Sequence, residues 1–141
     1  MFSTTCKYAI RAMLYLAINT SEEKKVGVDE IATALNVPKH FLAKILQQLT
    51  KYELATSSKG RNGGFYLTKE NSNGTLLPII EAIEGPNIFS GCILGLPECS
   101  GENPCSLHNQ ALNYRNGLLE TLGTESIADT ASRINEFNLK L

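Results

Sequence analysis

One amphipathic segment, followed at once by a glycine-rich turn, restricts the folds open to this chain more than any other feature. The segment runs from Pro38 to Leu54, and its apolar residues recur at i, i+3, i+4 and i+7. They are Leu42, Ile45, Leu46 and Leu49. This spacing predicts a helix with one buried stripe, and a proline suits a first helical turn. Two β-prone segments, LATSS and FYLT, then flank KGRNGG, in which Asn-Gly-Gly is a strong hairpin signal.

Two more helices are predicted ahead of this segment. TTCKYAIRAMLYLAINT, from Thr4, repeats its apolar residues at helical spacing, and VDEIATALNV reads as a short helix that Asp29 could cap and Asn36 could end. Helix, short helix, helix and basic-tipped hairpin is the order of a winged helix-turn-helix, in which the third helix enters the major groove of DNA. We therefore predict a mainly α protein with a small β-hairpin wing.

The polar face of the 38–54 helix carries basic and amide side chains without any acid, which is typical of a nucleic-acid surface, although a merely solvated helix would also be polar. Residues 1–67 hold nine Lys/Arg against five Asp/Glu, and residues 68–141 hold four against nine. This asymmetry favours a polyanion partner on the N-terminal side, with chance partitioning of surface charge as the alternative. The predicted contacts to a double-stranded DNA operator are Lys39, His40, Lys44, Gln48, Lys59, Arg61 and Asn62.

The second half of the chain is predicted to be helical around one loop. After a polar link, KENSNG, a helix over TLLPIIEAIEG ends at Gly85, a long helix begins near Ser106, and a last helix is capped by Thr124. We divide the chain into a winged helix-turn-helix region, 1–70, and a region of cysteine loop and dimerisation helices, 71–141, within one compact chain. The long helix could pack on its own domain or, as we expect, pair with a second copy. The predicted dimerisation residues are Leu107, Ala111, Tyr114, Leu118 and Leu122.

The loop between these helices holds three of the four cysteines, in the pattern Cys92-x6-Cys99-x5-Cys105-x2-His108. Three thiolates and an imidazole form a competent soft-metal ligand set. The wide, loop-borne spacing suits an iron–sulfur cluster, and mixed Cys/His ligation of two-iron clusters is chemically precedented. Zinc is one alternative, although the close Cys-x2-Cys pairs common in zinc sites are absent, and a metal-free redox switch or inert thiols are the other. The remaining cysteine, Cys6, is predicted to be a core residue of the first helix.

Other functional classes are disfavoured by what the sequence lacks. No apolar run approaches the ~18 residues of a membrane span, and no signal peptide is recognisable, so we expect a cytoplasmic protein whose thiols stay reduced. There is no plausible nucleophile–base pair, phosphate loop or paired catalytic carboxylates, so an enzyme is not expected; a redox enzyme on this scaffold is the remote alternative.

Several motifs together resemble the IscR/NsrR/CymR superfamily of bacterial winged-helix regulators. They are TTCKYAIRAMLYLA, VDEIATALNVPKHFLAKILQQL, KGRNGGFYL and the cysteine loop ending in PCSLH. The resemblance implies a homodimer with crossing long helices and a DNA-binding unit at either end. In cluster-bearing members it implies that the loop corresponding to Cys92, Cys99 and Cys105 holds the cluster, here a [2Fe–2S] cluster that controls operator affinity.

The fourth ligand follows from the same resemblance. His108 matches the fourth ligand of the IscR branch. The NsrR branch uses an aspartate from the partner's first helix, but the matching region here reads CKYAIR, without an acid. This chain departs from IscR-like sequences in having six residues, where five are usual, between Cys92 and Cys99, and Glu98 could compete as a ligand. The alternative is a cluster-free thiol- or zinc-dependent regulator of the same fold. CymR-like members have no such triad, so the resemblance favours the cluster-bearing branch.

Overall fold

The computed structural model describes residues 1–141 as seven α-helices and one two-stranded antiparallel sheet. The elements are α1 (Thr4–Asn19), α2 (Val28–Leu35), α3 (Lys39–Lys51), β1 (Thr56–Ser58), β2 (Gly64–Tyr66), α4 (Lys69–Asn73), α5 (Leu77–Glu84), a 3₁₀ turn (Pro86–Phe89), α6 (His108–Thr124) and α7 (Ile127–Glu136). The predicted fold class, a mainly helical winged helix-turn-helix, is confirmed.

Helix α1 begins at a side-chain cap and buries one full face. The hydroxyl of Ser3 accepts a hydrogen bond from the backbone N–H of Cys6 at 3.1 Å, which satisfies one of the donors left unpaired at the helix start. Cys6 itself is fully buried, as predicted. The other buried residues of this helix are Ala9, Ala12, Met13, Leu14 and Leu16.

Helices α2 and α3 form the helix-turn-helix. The N-cap of α2 is Gly27 rather than the predicted Asp29, which lies in the first turn, where its charge favours the helix dipole. The predicted end is correct, because Asn36 adopts a left-handed conformation (φ 52°) that turns the chain towards Pro38. The whole apolar stripe of α3 is buried, as predicted: Leu42, Ile45, Leu46 and Leu49.

The wing is the predicted hairpin, joined to the helical body by one extra bridge. Strands β1 and β2 pair with Thr56 opposite Tyr66, and Phe65 also pairs with Val26 ahead of α2. Gly64 has φ +149°, and a Cβ atom there would lie 2.6 Å from the Val26 carbonyl oxygen. Only glycine therefore allows the strand to approach this segment so closely.

A short helix, α4, replaces the predicted polar link at KENSNG. Thr68 and Asn71 form a reciprocal capping box: the Thr68 hydroxyl accepts from the Asn71 N–H, and the Asn71 side-chain oxygen accepts from the Thr68 N–H, both at 3.1 Å. The Asn71 amide group also donates to the backbone oxygen of Glu53. The link is thus an ordered connection that fixes the base of the wing.

The C-terminal helices return to the core formed by the N-terminal ones. Helix α5 ends at Gly85 (φ +93°), as predicted, whereas α6 begins at His108 instead of Ser106. The cap of α7 is Ser126, whose hydroxyl accepts from the Asp129 N–H, and the predicted cap, Thr124, is the last residue of α6. Helix α7 packs on α1 and contributes Ile127 and Ala131 to the core. None of the helices combines the length and apolar character that crossing a membrane requires.

Candidate metal centre and DNA-binding surface

The three cysteines of the loop converge although six and five residues separate them in sequence. The Sγ atoms of Cys92, Cys99 and Cys105 all lie within 4.8 Å of one another, and those of Cys92 and Cys105 are 3.8 Å apart. The backbone N–H of Cys105 donates to the Cys99 sulfur at 3.4 Å. The loop thus points its three thiols at one small volume.

His108, the first residue of α6, lies beside one of these thiols. Its Nδ1 is 3.3 Å from the Cys99 Sγ. The N-cap residue, Leu107, provides no side-chain hydrogen bond, so no side-chain cap occupies the positive end of the helix that follows the loop. The remaining candidate ligand, Glu98, is exposed, and the compact donor group consists of the thiols.

The surroundings shift the pKa values of two of the thiols in opposite directions. The backbone N–H of Leu96, assisted by that of Leu94, lowers the pKa of the Cys92 thiol to about 7, against the opposing effect of partial burial. At Cys99 the N–H of Cys105 acts to lower the pKa, but burial and the two neighbouring thiols outweigh it, and the pKa is raised. The same group of thiols thus contains one whose pKa is lowered and one whose pKa is raised.

Cys6 lies apart from this group, in the core. Burial, reinforced by the nearby Glu84 carboxylate, raises the pKa of its thiol to about 12, so it stays protonated and unreactive.

Arg115 also belongs to this region, although no sequence motif includes it. Its Nη1 donates to the backbone oxygen of Gly91, next to Cys92, and its Nε donates to the backbone oxygen of Ala111 at 3.2 Å. The available signal was charge: between Lys69 and Arg133 it is the only Lys or Arg.

Most predicted DNA contacts lie exposed on α3 or at the wing tip: Lys39, His40, Lys44, Lys59, Arg61 and Asn62. Lys39 also forms an ion pair with Asp29 of α2 at 2.7 Å. Both side chains are largely exposed, so this pair restrains Lys39 only weakly.

Gln48 is placed differently from the other predicted contacts. Its Nε2 donates to the backbone oxygen of Ala82 on α5 at 2.7 Å, and the residue is half-buried between the two helices. Its amide is engaged within the protein in this structure.

The predicted dimerisation stripe lies mostly along one side of α6. Ala111 is buried, Leu118 and Leu122 are half-buried, and Tyr114 is 58% exposed. Leu107 immediately precedes the helix. Apart from Ala111, the stripe presents apolar area that the single chain does not fully cover.

These elements together define a winged helix-turn-helix protein with three close cysteines, which could bind a metal or cluster, in the loop before its long helix. The chain belongs to the Rrf2 family: residues 2–133 match the family described as "Rrf2: Iron-dependent Transcriptional regulator". Regulators of this family bind DNA, are commonly dimers and are generally not enzymes. The predicted resemblance to IscR/NsrR/CymR regulators is thereby confirmed.

Individual relatives and solved structures agree with this assignment. A candidate HTH-type transcriptional regulator of Aquifex aeolicus is 38% identical over 112 residues, covering 78% of this chain and 76% of that protein. The structure of CymR, the global cysteine regulator of B. subtilis, superposes with a TM-score of 0.78 at 26% identity and covers 94% of this chain and 97% of its own. T. potens IscR has the same fold, with a TM-score of 0.77 at 22% identity over 100% of this chain and 93% of its own.

Proposed function

We propose that this chain is a DNA-binding transcriptional regulator whose operator affinity is controlled by a [2Fe–2S] cluster held by Cys92, Cys99, Cys105 and His108. The observation that carries the proposal is the convergence of three thiols from one loop, with the His108 imidazole beside the Cys99 sulfur. Packing alone does not explain why these side chains meet, because the loop around them is mostly exposed and buries little apolar area.

The donor set fits a metal-containing group on chemical and geometric grounds. A tetrahedral ion with metal–sulfur bonds of about 2.3 Å holds two thiolates about 3.8 Å apart, which is the separation of the Cys92 and Cys105 sulfurs. Iron is supported by the description of the family as iron-dependent. When bound, a two-iron cluster would supply one-electron redox chemistry and sensitivity to oxidants.

Zinc is the second candidate, because the same spacing also suits a single ion. All three sulfurs lie within 4.8 Å of one another, and three thiolates with one imidazole are a common structural zinc set. A zinc- or thiol-dependent regulator would keep the fold and the DNA surface but would lack a chromophore.

The DNA half of the proposal is supported by charge and exposure. Lys44 of α3 and Arg61 of the wing tip are both exposed, and no acid lies on the polar face of α3. We propose that α3 reads base edges, that the wing contacts phosphates, and that two copies paired through α6 bind a two-fold operator.

The experiment is anaerobic purification followed by absorption spectroscopy, iron and sulfide analysis, and operator titration of loaded and empty protein. We expect two irons and two sulfides per chain and different operator affinities for the two forms. The Cys6→Ala variant is the matched control, because it removes a thiol from the core without touching the loop. Stoichiometric zinc without iron would contradict the cluster, and equal affinities of both forms would contradict the sensor role.

A further inference from the structure

Arg115, near the end of the second turn of α6, joins that helix to the backbone just before Cys92. One arm of its guanidinium donates to the Gly91 oxygen, and its Nε donates to the Ala111 oxygen. We propose that Arg115 is the positioning residue and the counter-charge of the thiol loop, holding Cys92 in place for the cofactor and offsetting the negative charge of the ligands. This inference rests on the proposed function, since it concerns how the same ligands retain their cofactor.

The hydrogen bonds fix the part of the loop that packing does not. The Gly91 carbonyl shares a planar peptide unit with the Cys92 nitrogen, so holding that oxygen restricts the backbone from which the Cys92 thiol projects. The next two residues, Ile93 and Leu94, are 66% and 51% exposed and give little anchorage. Ala111, in contrast, is buried and belongs to a regular helix turn. Arg115 therefore ties a weakly packed thiol to a fixed support.

The charge of Arg115 complements the loaded site. The loop adds two acids of its own, Glu98 and Glu102, and no Lys or Arg. Three ionised thiolates outweigh the formal charge of an oxidised two-iron core, so the loaded site is anionic, and reduction adds a further negative charge. Arg115 and Cys92 line the same cavity of about 340 Å³, whose other walls are largely apolar. A cation there is screened less than one on an open surface and favours the reduced form.

Position and charge can be separated by two substitutions. Arg115→Gln keeps a donor but removes the charge and shortens the side chain. Arg115→Lys keeps the charge but lacks the planar fork that makes both directed hydrogen bonds. Arg133→Gln is the matched control, because Arg133 lies on α7, pairs with Glu125 and is 68% exposed.

The test uses full-length protein reconstituted with iron and sulfide without oxygen, with circular dichroism melts to confirm that each variant folds. Two quantities are measured: the rate at which an excess of iron chelator bleaches the visible absorption, and the midpoint potential of the cluster. We expect Arg115→Gln to bleach about tenfold faster and to have a more negative potential, as outer hydrogen-bond partners of metal ligands typically influence both. Arg115→Lys should bleach at an intermediate rate with a potential near that of wild type, and Arg133→Gln should match wild type in both.

Equal bleaching rates and potentials for wild type and Arg115→Gln would overturn the inference while leaving the proposed function intact. If Arg115→Gln does not fold, Arg115→Lys decides, since a wild-type bleaching rate in that variant would refute the positioning role. Wild-type protein with stoichiometric zinc and no iron would instead contradict the proposed function. The positioning role would then be tested by zinc release to a coloured chelator, and identical release from wild type and Arg115→Gln would overturn it.

Discussion

Gln48 of α3 donates a hydrogen bond from its Nε2 to the backbone oxygen of Ala82, in the last turn of α5, at 2.7 Å. In a longer helix this carbonyl would accept from the residue four positions on, but that residue is Pro86, which has no N–H. The chain then passes through Gly85 and the 3₁₀ turn into the cysteine loop. The helix predicted to read DNA thus donates a side-chain hydrogen bond to the helix that leads to the thiols, and the two helices also share the hydrophobic core.

We expect Gln48→Leu to weaken the response of DNA binding to the state of the loop. The substitution removes the donor and leaves a carbonyl unpaired, at a cost of about 1–3 kcal/mol. Couplings between sites typically amount to about 1–3 kcal/mol, so the ratio of operator affinities of loaded and empty protein should fall towards one. Fluorescence anisotropy titrations of both forms measure the ratio.

Gln47→Leu is the control for this prediction. The neighbouring glutamine is exposed, and the only hydrogen bond involving it, apart from the helix ladder, is accepted by its backbone oxygen. It should keep the wild-type ratio even if both affinities change. A wild-type ratio in Gln48→Leu would mean that the coupling runs through other contacts.

Local patterns predicted the DNA-binding half of the fold well because each element there has its own signal. The stripe of α3 and the Asn-Gly-Gly turn of the wing depend on residues close together in the chain. The missed helix α4 also had a local signal, since Thr68 and Asn71 stand at capping-box spacing, but it is too short to show an apolar period. Its stability comes from contacts to Glu53 and Thr56, which are distant in sequence.

The sequence indicated that the three cysteines of the loop belong together, but it did not indicate which side chains hold the loop in place. Clustered cysteine and histidine residues indicate soft-metal binding by their chemistry alone. Arg115 donates to the backbone oxygen of Gly91, and Gln48 donates to that of Ala82. Every residue has a backbone oxygen, so the sequence does not show which of them will accept such a bond. Such contacts appear only once the helices have been packed.

Loss of one cationic contact should flatten the salt dependence of operator binding. Each phosphate contact contributes about 0.9 to the slope of log K against log salt concentration, so Lys44→Ala or Arg61→Ala should each reduce the slope by roughly that amount. Lys140→Ala is the control, because that residue is exposed in the acidic C-terminal half. Unchanged slopes for both Lys44→Ala and Arg61→Ala would place the DNA surface elsewhere.

The start of α1 should make stability depend on pH through Glu84. The Ser3 hydroxyl, and to a lesser extent the Ser3 backbone N–H, donate hydrogen bonds to the Glu84 carboxyl and lower its pKa below the ordinary value of 4.5. The distance from the Ser3 nitrogen to Glu84 Oε1 is 2.6 Å. A lowered folded-state pKa gives stability that is present above pH 4.5 and lost as the pH falls through the folded value. Glu84→Gln should therefore be less stable than wild type at pH 7, by about 1 kcal/mol or less, since the group is partly exposed. Urea titrations should show that the difference in free energy of unfolding between wild type and Glu84→Gln shrinks below pH 4.5. A difference that stays constant with pH would mean that it does not come from the charge of Glu84.

Dimerisation through α6 should be abolished by a charge in the stripe. Leu118 is half-buried in the single chain, and Leu118→Asp would place a carboxylate in the predicted seam at a cost of several kcal/mol. We expect monomers by size exclusion with light scattering, together with weaker operator binding. Asn116→Asp adds the same charge on the other side of the helix, where the residue is exposed, and should leave the dimer intact. A dimeric Leu118→Asp variant would mean that the interface lies on another surface.

The visible absorption spectrum and the reduction potential of the cluster-loaded protein test the predicted ligand set. Cys92→Ala, Cys99→Ala or Cys105→Ala should each abolish the chromophore, whereas Cys6→Ala should leave it unchanged, because that thiol is fully buried away from the loop. His108→Ala should give a weak, labile chromophore, as water or Glu98 could partly replace an imidazole at the edge of the site. His108→Cys should retain the cluster but lower its reduction potential, since a thiolate replaces a neutral ligand and adds negative charge. A full wild-type spectrum and potential in His108→Ala would remove His108 from the ligand set, and Glu98→Gln in that background would then test whether the carboxylate takes its place.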